Sequence, residues 1–289
     1  MRLLAVTALT MVAFAANSIL NRMALAGGTI DPLSFGAIRL IAGAVALAGL
    51  AMALRGTLRL WGPGRWPGGI SLVVYMIGFS LAYVQLDAGL GALILFGVVQ
   101  ITMFAGAVIG GHTPPPRRWL GAGLAFIGLV WLLWPVSGDT AQQISLRHGS
   151  LMAMAGVGWG IYSLTGRRST DALQSTAANF VLTAPLAGLL LAALWALDAS
   201  EMPGAEGVAL AVLAGAVTSG MGYALWYAIL PRLDAALAAV AQLTVPVLAM
   251  AGGIVLLSEA LTPRFALASV IVLMGVALSA IPTRQTKSR

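Results

Sequence analysis

The chain contains no cysteine, a single lysine and only nine acidic residues among its 289. Without cysteine it has no disulfide, no thiolate nucleophile and no cysteine metal centre. Charged residues make up 9% of the sequence, against about 25% in soluble domains, and apolar residues make up 60%. A water-soluble fold of this length cannot hide so much apolar surface, so the composition excludes a soluble enzyme, a nucleic-acid-binding protein and a disordered chain.

The apolar residues are gathered in ten runs, each close to the ~20 residues that cross a bilayer as a helix. Gly, Pro and Arg separate the runs, which lack the alternation of polar and apolar residues found in membrane barrels. The sequence therefore predicts an all-α membrane protein with ten transmembrane helices. Residues 13–15 resemble a signal-peptide cleavage site, but the first run continues to Ala26 and is interpreted as the first helix. The runs cover residues 3–24, 33–54, 68–86, 89–110, 117–135, 149–166, 174–197, 206–230, 234–257 and 263–281.

The second half of the chain resembles the first half in order and spacing. Residues 86–92 match 233–239, and Pro116-Arg117 matches Pro263-Arg264 at the same offset. Chance similarity between helices rich in Ala, Leu and Gly is the alternative. Five helices per repeat is an odd number, so the second repeat enters the membrane from the opposite side, as in many transporters. We therefore predict two inverted five-helix repeats, residues 1–140 and 145–289.

Positive charge lies mostly at one end of the predicted helices. If the N-terminus is cytoplasmic, 12 of the 16 basic residues lie on the cytoplasmic side and the other four (Arg22, Arg39, Arg147 and Arg264) lie outside. Lys and Arg are retained in cytoplasmic loops, so the sequence predicts a multi-pass membrane protein with both termini in the cytoplasm. The twelve are Arg2, Arg55, Arg59, Arg65, Arg117, Arg118, Arg167, Arg168, Arg232, Arg284, Lys287 and Arg289.

Aromatic side chains recur at helical spacing in the predicted third, sixth and eighth helices. Residues four apart, such as Tyr75 and Phe79, share one face of a helix. A cavity with aromatic walls and a few amide groups suits an amphipathic solute with an apolar side chain. The alternatives are core packing, contact with lipid and, for the amides, hydrogen bonding between helices. The predicted substrate-binding residues are Asn17, Tyr75, Phe79, Tyr83, Gln100, Trp159, Tyr162, Tyr223, Trp226, Tyr227 and Gln242.

Three other patterns concern single helices. Arg39 lies several residues inside the second helix, where it could attract a carboxylate, but snorkelling of its long side chain to the membrane surface is favoured. Asp31 followed by proline predicts the start of that helix. Glycine pairs at 106/110 and 156/160 form GxxxG motifs and predict close packing between helices.

Few groups in the predicted helices could carry out chemistry or couple transport to an ion. No Asp or Glu lies in the middle of a run, Glu259 lies near an outer end, and His112 and His148 lie in loops. The chain has no phosphate-binding P-loop, nucleophile–base pair or metal-ligand cluster. The sequence thus predicts no enzyme activity, no cofactor and no metal. It also favours a facilitative transporter, because proton pumps usually carry a buried carboxylate or histidine; a sodium route near Pro246 stays open.

The whole chain resembles the drug/metabolite transporter superfamily, in its EamA-type branch. The resemblance lies in the ten helices in two repeats, Arg39, the segment 242–246 (Gln-Leu-Thr-Val-Pro) and the segment 258–263 (Ser-Glu-Ala-Leu-Thr-Pro). His112 stands where the branch has an acidic residue, so Glu259 lacks a partner by symmetry.

This resemblance implies a bacterial inner-membrane exporter of small metabolites, most like the branch's exporters of aromatic amino acids, with a cavity lined by both repeats. The partners it implies are a small-molecule substrate and the lipid bilayer, with no nucleic acid and no obligate protein partner. A lipid flippase or a non-transporting scaffold of the same architecture is the alternative function.

Overall fold

The computed structural model describes residues 2–111, 114–134, 145–167, 169–197, 201–233 and 235–280. Every regular element within these residues is helical. The segments α8 and α9 are joined by a π-helical segment into one continuous helix, Ala205–Arg232, here called the eighth span. The described residues thus form ten long helices, which we call spans. The predicted all-α, ten-helix class is confirmed. The segments are α1 (Arg2–Ala26), α2 (Pro32–Arg55), α3 (Arg65–Ala82), α4 (Ala88–Ile109), α5 (Pro116–Leu133), α6 (Leu146–Gly166), α7 (Ala172–Ala196), α8 (Ala205–Leu213), the π segment (Ala214–Met221), α9 (Gly222–Ile229), α10 (Ala235–Leu257) and α11 (Pro263–Ala280).

The outer surface of the helix bundle is apolar. Large aliphatic side chains such as Val45, Ile109 and Val255 are 70%, 86% and 78% exposed. Such a surface is unfavourable in water but favourable against the hydrocarbon chains of a bilayer. Helices also satisfy their own backbone hydrogen bonds, as a bilayer requires. Five spans (α1, α2, α4, α7 and the eighth) are long and apolar enough to cross a bilayer. The fold is therefore that of a multi-pass membrane protein.

Helix ends follow the local sequence signals. Asp31 caps α2, because its Oδ1 accepts hydrogen bonds from the backbone N–H groups of Leu33 and Ser34, and Pro32 occupies the first helical position. The predicted start of this helix is thus confirmed. Connections between spans are short, so successive spans run in opposite directions. We call the surface where α1 begins the N-terminal face and the surface where α1 ends the distal face.

Helices of the first half pack mainly against helices of the second half. α3 packs along α6, α2 along α7, α4 along α6 and α5 along α11, while α1 contacts both α10 and the eighth span. Each helix can be exchanged for the helix at the same position in the other half: α1 for α6, α3 for the eighth span and α4 for α10. The α3–α6 pair then becomes the eighth span–α1 pair, and the α4–α6 pair becomes the α10–α1 pair. Both of these are close pairs in the structure. The two halves therefore interlock and share one core.

Glycine allows the closest of these contacts. Gly156 and Gly160 of α6 lie against α4, where an added Cβ would come within 2.7 Å of Val98 Cβ and 2.6 Å of Thr102 Cβ, respectively. Atoms cannot approach so closely, so only glycine fits at either position. The close packing that the GxxxG pattern at 156/160 predicts is confirmed.

The eighth span is irregular where it crosses the centre of the bundle. Ala214–Met221 forms a π-helix, a wider form with i→i+5 hydrogen bonds that is frequent at functional sites. Gly215 in this segment lies directly on α2, because a Cβ there would be 2.8 Å from the carbonyl carbon of Arg39. Thr218 and Ser219 of the same segment are buried. The π segment thus brings two hydroxyl groups close to α1 and α2.

Gly121→Ala is expected to destabilise the protein, whereas Gly123→Ala two residues further along α5 is not. A Cβ at Gly121 would overlap the carbonyl oxygen of Gly275 in α11, whereas a Cβ at Gly123 would meet nothing within 4 Å. Overpacking of this kind costs about 1–3 kcal/mol, while Ala replaces Gly favourably in an open helical position. Thermal unfolding of the purified protein in detergent should show a lower Tm for the first variant only. Equal Tm values for the two variants would contradict the assigned α5–α11 contact.

Candidate functional site

Aromatic rings from both halves meet in the middle of the bundle. The centroid of the Trp159 ring lies 4.4 Å from that of Tyr223, 5.1 Å from that of Tyr75 and 5.9 Å from that of Phe14. Phe79 lies 5.2 Å from Tyr75. These separations are typical of favourable aromatic pairs. We call these five residues the central cluster, and each is at most 5% exposed.

The cavity inside the central cluster is almost closed. Its volume is about 10 Å³, close to the smallest space that holds one water molecule. The rings therefore fill the space that the sequence predicts to be an open substrate cavity. This conformation is closed at its centre. The cavity is lined by Phe14, Asn17, Ser18, Tyr75, Phe79, Leu95, Phe96, Trp159 and Tyr223.

Helical spacing and one glycine bring these rings together. Tyr75 and Phe79 lie one turn apart on the same face of α3. Gly158 of α6 lies against α3, where a Cβ would come within 2.9 Å of the backbone nitrogen of Tyr75. Because this glycine lets the two helices approach, the adjacent Trp159 reaches the Tyr75 ring. The sequence pattern thus places these aromatic residues correctly on one face, and the packing of α6 completes the cluster.

A charged side chain lies directly beside the central cluster. Arg39 of α2 is 0% exposed, and its Nε donates a hydrogen bond of 2.8 Å to Ser219 Oγ. Its Nη2 donates to the hydroxyls of Tyr75 and Tyr223 at 2.8 and 2.9 Å. The guanidinium carbon also lies 4.9 Å from the centre of the Phe79 ring. The guanidinium is thus held by three hydroxyl groups and an aromatic face.

The expectation that Arg39 snorkels to the membrane surface is wrong. A snorkelling side chain needs an open path to the interface, but the π segment covers α2 at this position because Gly215 allows the eighth span to lie on the Arg39 backbone. Nη1 of Arg39 is buried and has no hydrogen-bond partner among the described residues. The buried charge is therefore only partly compensated by neighbouring groups.

Asn17 connects the helices around this arginine. Its Nδ2 donates a 3.1 Å hydrogen bond to the Tyr75 hydroxyl, and its Oδ1 accepts one of 3.0 Å from Thr218 Oγ1. Asn17 therefore joins α1, α3 and the π segment in one network. Asn21, one turn further along α1, donates instead to the backbone oxygen of Asn17. Polar groups inside a bilayer must find such partners within the protein.

A larger cavity lies between the central cluster and the N-terminal face. Its volume is about 160 Å³, and we call it the vestibule. Two arginines line it near this face, Arg118 at the start of α5 and Arg167 just after α6. Deeper in the bundle, Gln100 Nε2 donates a 3.2 Å hydrogen bond to Gln242 Oε1. Trp226 lines the vestibule and also contacts the ring of Phe14 at 6.0 Å, so it separates the vestibule from the central cluster.

The distal face is closed by three charged side chains from both halves. Arg22 at the end of α1 lies 3.6 Å from Asp87 and 3.4 Å from Glu259. Both Glu259 carboxylate oxygens lie 2.9 Å from the backbone nitrogen of Ala88, at the start of α4. A carboxylate is favourable at this position because the N-terminus of a helix carries partial positive charge. We call Arg22, Asp87 and Glu259 the distal ion cluster.

Burial affects the protonation of the two acids in this cluster. Burial raises the pKa of Glu259 above its ordinary value, although the Ala88 N–H and Arg22 each lower this pKa in part. It likewise raises the pKa of Asp87, and Arg22 again opposes the shift. A group whose pKa is higher in the closed arrangement than in water binds its proton more tightly there. Burial therefore favours the protonated form of both acids in this arrangement.

The structure divides the predicted binding residues into three groups and one separate residue. Tyr75, Phe79, Trp159 and Tyr223 form the central cluster with Asn17 beside it, and Gln100, Trp226 and Gln242 line the vestibule. Tyr162 and Tyr227 flank Trp159, with ring centroids at 5.4 and 6.5 Å. Tyr83 lies apart from both cavities, and its hydroxyl donates to the backbone oxygen of Ala88.

Sequence reasoning placed Arg39 at the surface and gave no role to Ser219. The depth of Arg39 inside an apolar helix is the signal that could have located it, because seven residues of helix span about 10 Å. Nothing in the sequence around Ser219 marks a π segment. His112 lies outside the described residues, so its position relative to Glu259 stays a prediction.

The sequence is similar to that of a transporter family, and the fold is similar to that of a solved structure. The profile of the EamA-like transporter family matches residues 148–281. The uncharacterized protein PA1977 of Pseudomonas aeruginosa is 44% identical over 281 residues, which cover 97% of this chain and 95% of that protein. The uncharacterized transporter YwfM of Bacillus subtilis is 27% identical over 273 residues, covering 91% and 89%. A crystal structure with 20% identity aligns with a TM-score of 0.65 over 96% of this chain and 98% of its own, a likeness of fold alone.

Arg22→Ala is expected to open the distal face. Ser18 lies one turn before Arg22 on the same side of α1, lines the central cavity and is 1% exposed. A Ser18→Cys variant carries the only thiol of the protein, and its labelling by an impermeant maleimide should be slow. Loss of Arg22 leaves two carboxylates unpaired at a cost of about 1 kcal/mol, so labelling should become about five times faster in membrane vesicles that expose the distal face.

Arg264→Ala is the matched control for this experiment. Arg264 lies on the same face but donates hydrogen bonds to the backbone oxygens of Trp131 and Trp134, outside the distal ion cluster. This variant should label at the unmodified rate. A similar acceleration in both arginine variants, or none in Arg22→Ala, would show that the distal ion cluster does not close this face.

Proposed function

The chain belongs to the EamA-like transporter family, and we propose that it exports neutral amino acids, aromatic ones favoured, or similar small amphipathic metabolites. The observation that carries the proposal is the central cluster. Flat aromatic faces beside amide and hydroxyl groups complement a solute with an aromatic side chain and a polar backbone. The cluster lies between a vestibule on one face and a closed ion cluster on the other, as expected at the middle of a transport route.

The proposed mechanism is alternating access between two inverted repeats, residues 1–140 and 145–289. Transporters of this kind bind substrate near the membrane midplane, where the repeats meet, and open to each side in turn. Helices at the same positions of the two repeats make corresponding contacts: α3 packs on α6, and the eighth span packs on α1. This correspondence supports the repeat assignment. In this conformation solute would enter the vestibule, and opening of the central cluster and of the distal ion cluster would release it on the other side.

The direction of transport follows from the proposed orientation. With both termini in the cytoplasm of a bacterial cell and the chain in its inner membrane, the predicted topology puts 12 of the 16 basic residues on the cytoplasmic side, in agreement with the positive-inside rule. The vestibule then opens to the cytoplasm, and the distal ion cluster lies outside. In this conformation the protein would bind its solute from the cytoplasm, as an exporter requires.

Trp159→Ala is expected to lower the efflux of labelled phenylalanine from proteoliposomes about tenfold or more. Its ring touches three members of the central cluster, and loss of a buried aromatic contact with substrate costs roughly 1.5–3 kcal/mol. Trp195→Ala is the control, because Trp195 of α7 is 40% exposed to the surroundings of the bundle and should leave efflux within about twofold of the wild-type rate.

Two outcomes of the same assay would contradict the proposed function. If the unmodified protein scrambles labelled phospholipid and leaves phenylalanine inside, it is a lipid flippase. If it moves neither, it is a scaffold of the same architecture. Equal loss of efflux in Trp159→Ala and Trp195→Ala would instead remove the central cluster from the transport route.

Transport is proposed to be facilitative. Within the described helices that form the central cluster, the one acid is Glu206 in the first turn of the eighth span, and Glu259 lies at the distal face. The centre therefore holds no carboxylate that could carry a driving proton. Phenylalanine should leave loaded proteoliposomes without any ion gradient, and an imposed pH gradient should not cause accumulation. Accumulation that an uncoupler abolishes would contradict this proposal, and Glu259→Gln would then be the first variant to measure.

A further inference from the structure

Two hydrogen-bond donors at the centre of the protein are left without an acceptor among the described residues. Arg39 Nη1 and Trp159 Nε1 are buried and have no partner among the described residues. The hydroxyl oxygen of Tyr75 lies within hydrogen-bond distance of three donors, Asn17 Nδ2, Arg39 Nη2 and the Tyr223 hydroxyl, but has only two lone pairs to accept them. What this site lacks is an acceptor with several lone pairs, and a carboxylate offers about four.

The charge at the centre is equally unbalanced. The ion pairs of the described residues involve Arg22 and Arg55, and none involves Arg39. Hydroxyl groups and aromatic faces reduce the cost of a buried guanidinium but do not neutralise it. Because the guanidinium fork matches the geometry of a carboxylate, an anionic group bound here would supply both the missing charge and the missing acceptors.

We propose that the central site binds aromatic or apolar monocarboxylates through their carboxylate, with Arg39 as the cationic receptor. The proposal rests on the proposed function, since it requires the substrate to pass through the central cluster. Tyr75 and Tyr223 line the central cavity and also bind Arg39. A carboxylate that enters as the cluster opens therefore meets the guanidinium directly behind these hydroxyls, while the ring of the substrate lies among Phe14 and Trp159.

The substrate does not need an ammonium group. The described residues that line the central cavity and the vestibule include Arg118 and Arg167 but no Asp or Glu. Nothing there would select a positive charge, and Arg39 would repel one. Zwitterionic amino acids therefore bind through their carboxylate, acids without an amino group bind as well, and amines without a carboxylate do not.

Four ligands with the same phenyl ring test this proposal. Phenylalanine carries both charged groups, 3-phenylpropanoate carries only the carboxylate, and phenylethylamine and phenylalaninamide carry only the ammonium group. In competition with labelled phenylalanine on the purified protein in detergent at neutral pH, the first two should bind with similar affinity. The two amines should bind at least about 30-fold more weakly, as expected when one partner of a buried charged hydrogen bond is absent.

Variants separate recognition of the carboxylate from a structural role of Arg39. Arg39→Gln should weaken the binding of phenylalanine and 3-phenylpropanoate about 30-fold or more, because the carboxylate loses its receptor. It should not weaken the binding of the two amines, because their ammonium group loses only a repelling charge. Arg264→Gln makes the same change on the distal face and should preserve the ligand pattern. If Arg39→Gln does not fold, Tyr75→Phe and Tyr223→Phe keep the rings and should reduce the preference for carboxylates about five- to tenfold.

The outcomes distinguish this inference from the proposed function. Amines that compete as well as 3-phenylpropanoate, or equal weakening of all four ligands in Arg39→Gln, would overturn the assignment of Arg39 and leave the export of amphipathic solutes standing. If none of the four ligands binds to the folded unmodified protein or is moved by it, the proposed function itself fails.

Discussion

A guanidinium inside a membrane protein has no water to hydrate it, so neighbouring helices must supply its hydrogen-bond partners. Around Arg39 these partners come from α3 and from two parts of the eighth span. Taking an unpaired ion out of water costs several kcal/mol. If α2, α3 and the eighth span separated within the membrane, Arg39 would lose its hydrogen-bond partners and this cost would no longer be offset. The position of the central cluster depends on this constraint, because Tyr75 and Tyr223 contribute both to the rings of the cluster and to the arginine.

The π segment is the backbone device that meets this constraint. Gly215 lets the eighth span lie on the backbone of α2, and the wider helix turns Thr218 and Ser219 inward to Asn17 and Arg39. A regular α-helix brings to one face residues that are three or four apart, so it could not present this pair of adjacent hydroxyls to both helices as readily. The π segment and the hydrogen-bond network of Asn17 and Arg39 therefore depend on each other. The apolar helix surfaces around them face the lipid.

The sequence was informative about the features that depend on composition and spacing. Ten apolar runs predicted the spans, Asp31 predicted a helix start, and residues four apart predicted that Tyr75 and Phe79 lie on one face. It was less informative about features that depend on which helices meet. Arg39 was misplaced because periodicity does not reveal that another helix covers it, and the expected cavity is filled because rings that can line a cavity can also pack together. Tyr83 shares the spacing of its neighbours, yet it lies beyond the last turn of α3, where the chain bends towards Ala88.

The contact between Glu259 and the start of α4 has a consequence for how the protein is made. The carboxylate that caps α4 is 171 residues away along the chain, and ribosomes add roughly 5–20 residues per second. The first half therefore waits roughly ten to thirty seconds in the membrane with the N-terminus of α4 and the side chain of Arg22 lacking their final partner. Ser219 reaches Arg39 only after a similar delay, at a separation of 180 residues. Insertion of the early helices and their final assembly must therefore be separate events, and the nascent first half keeps these polar groups without their final partners until the second half arrives.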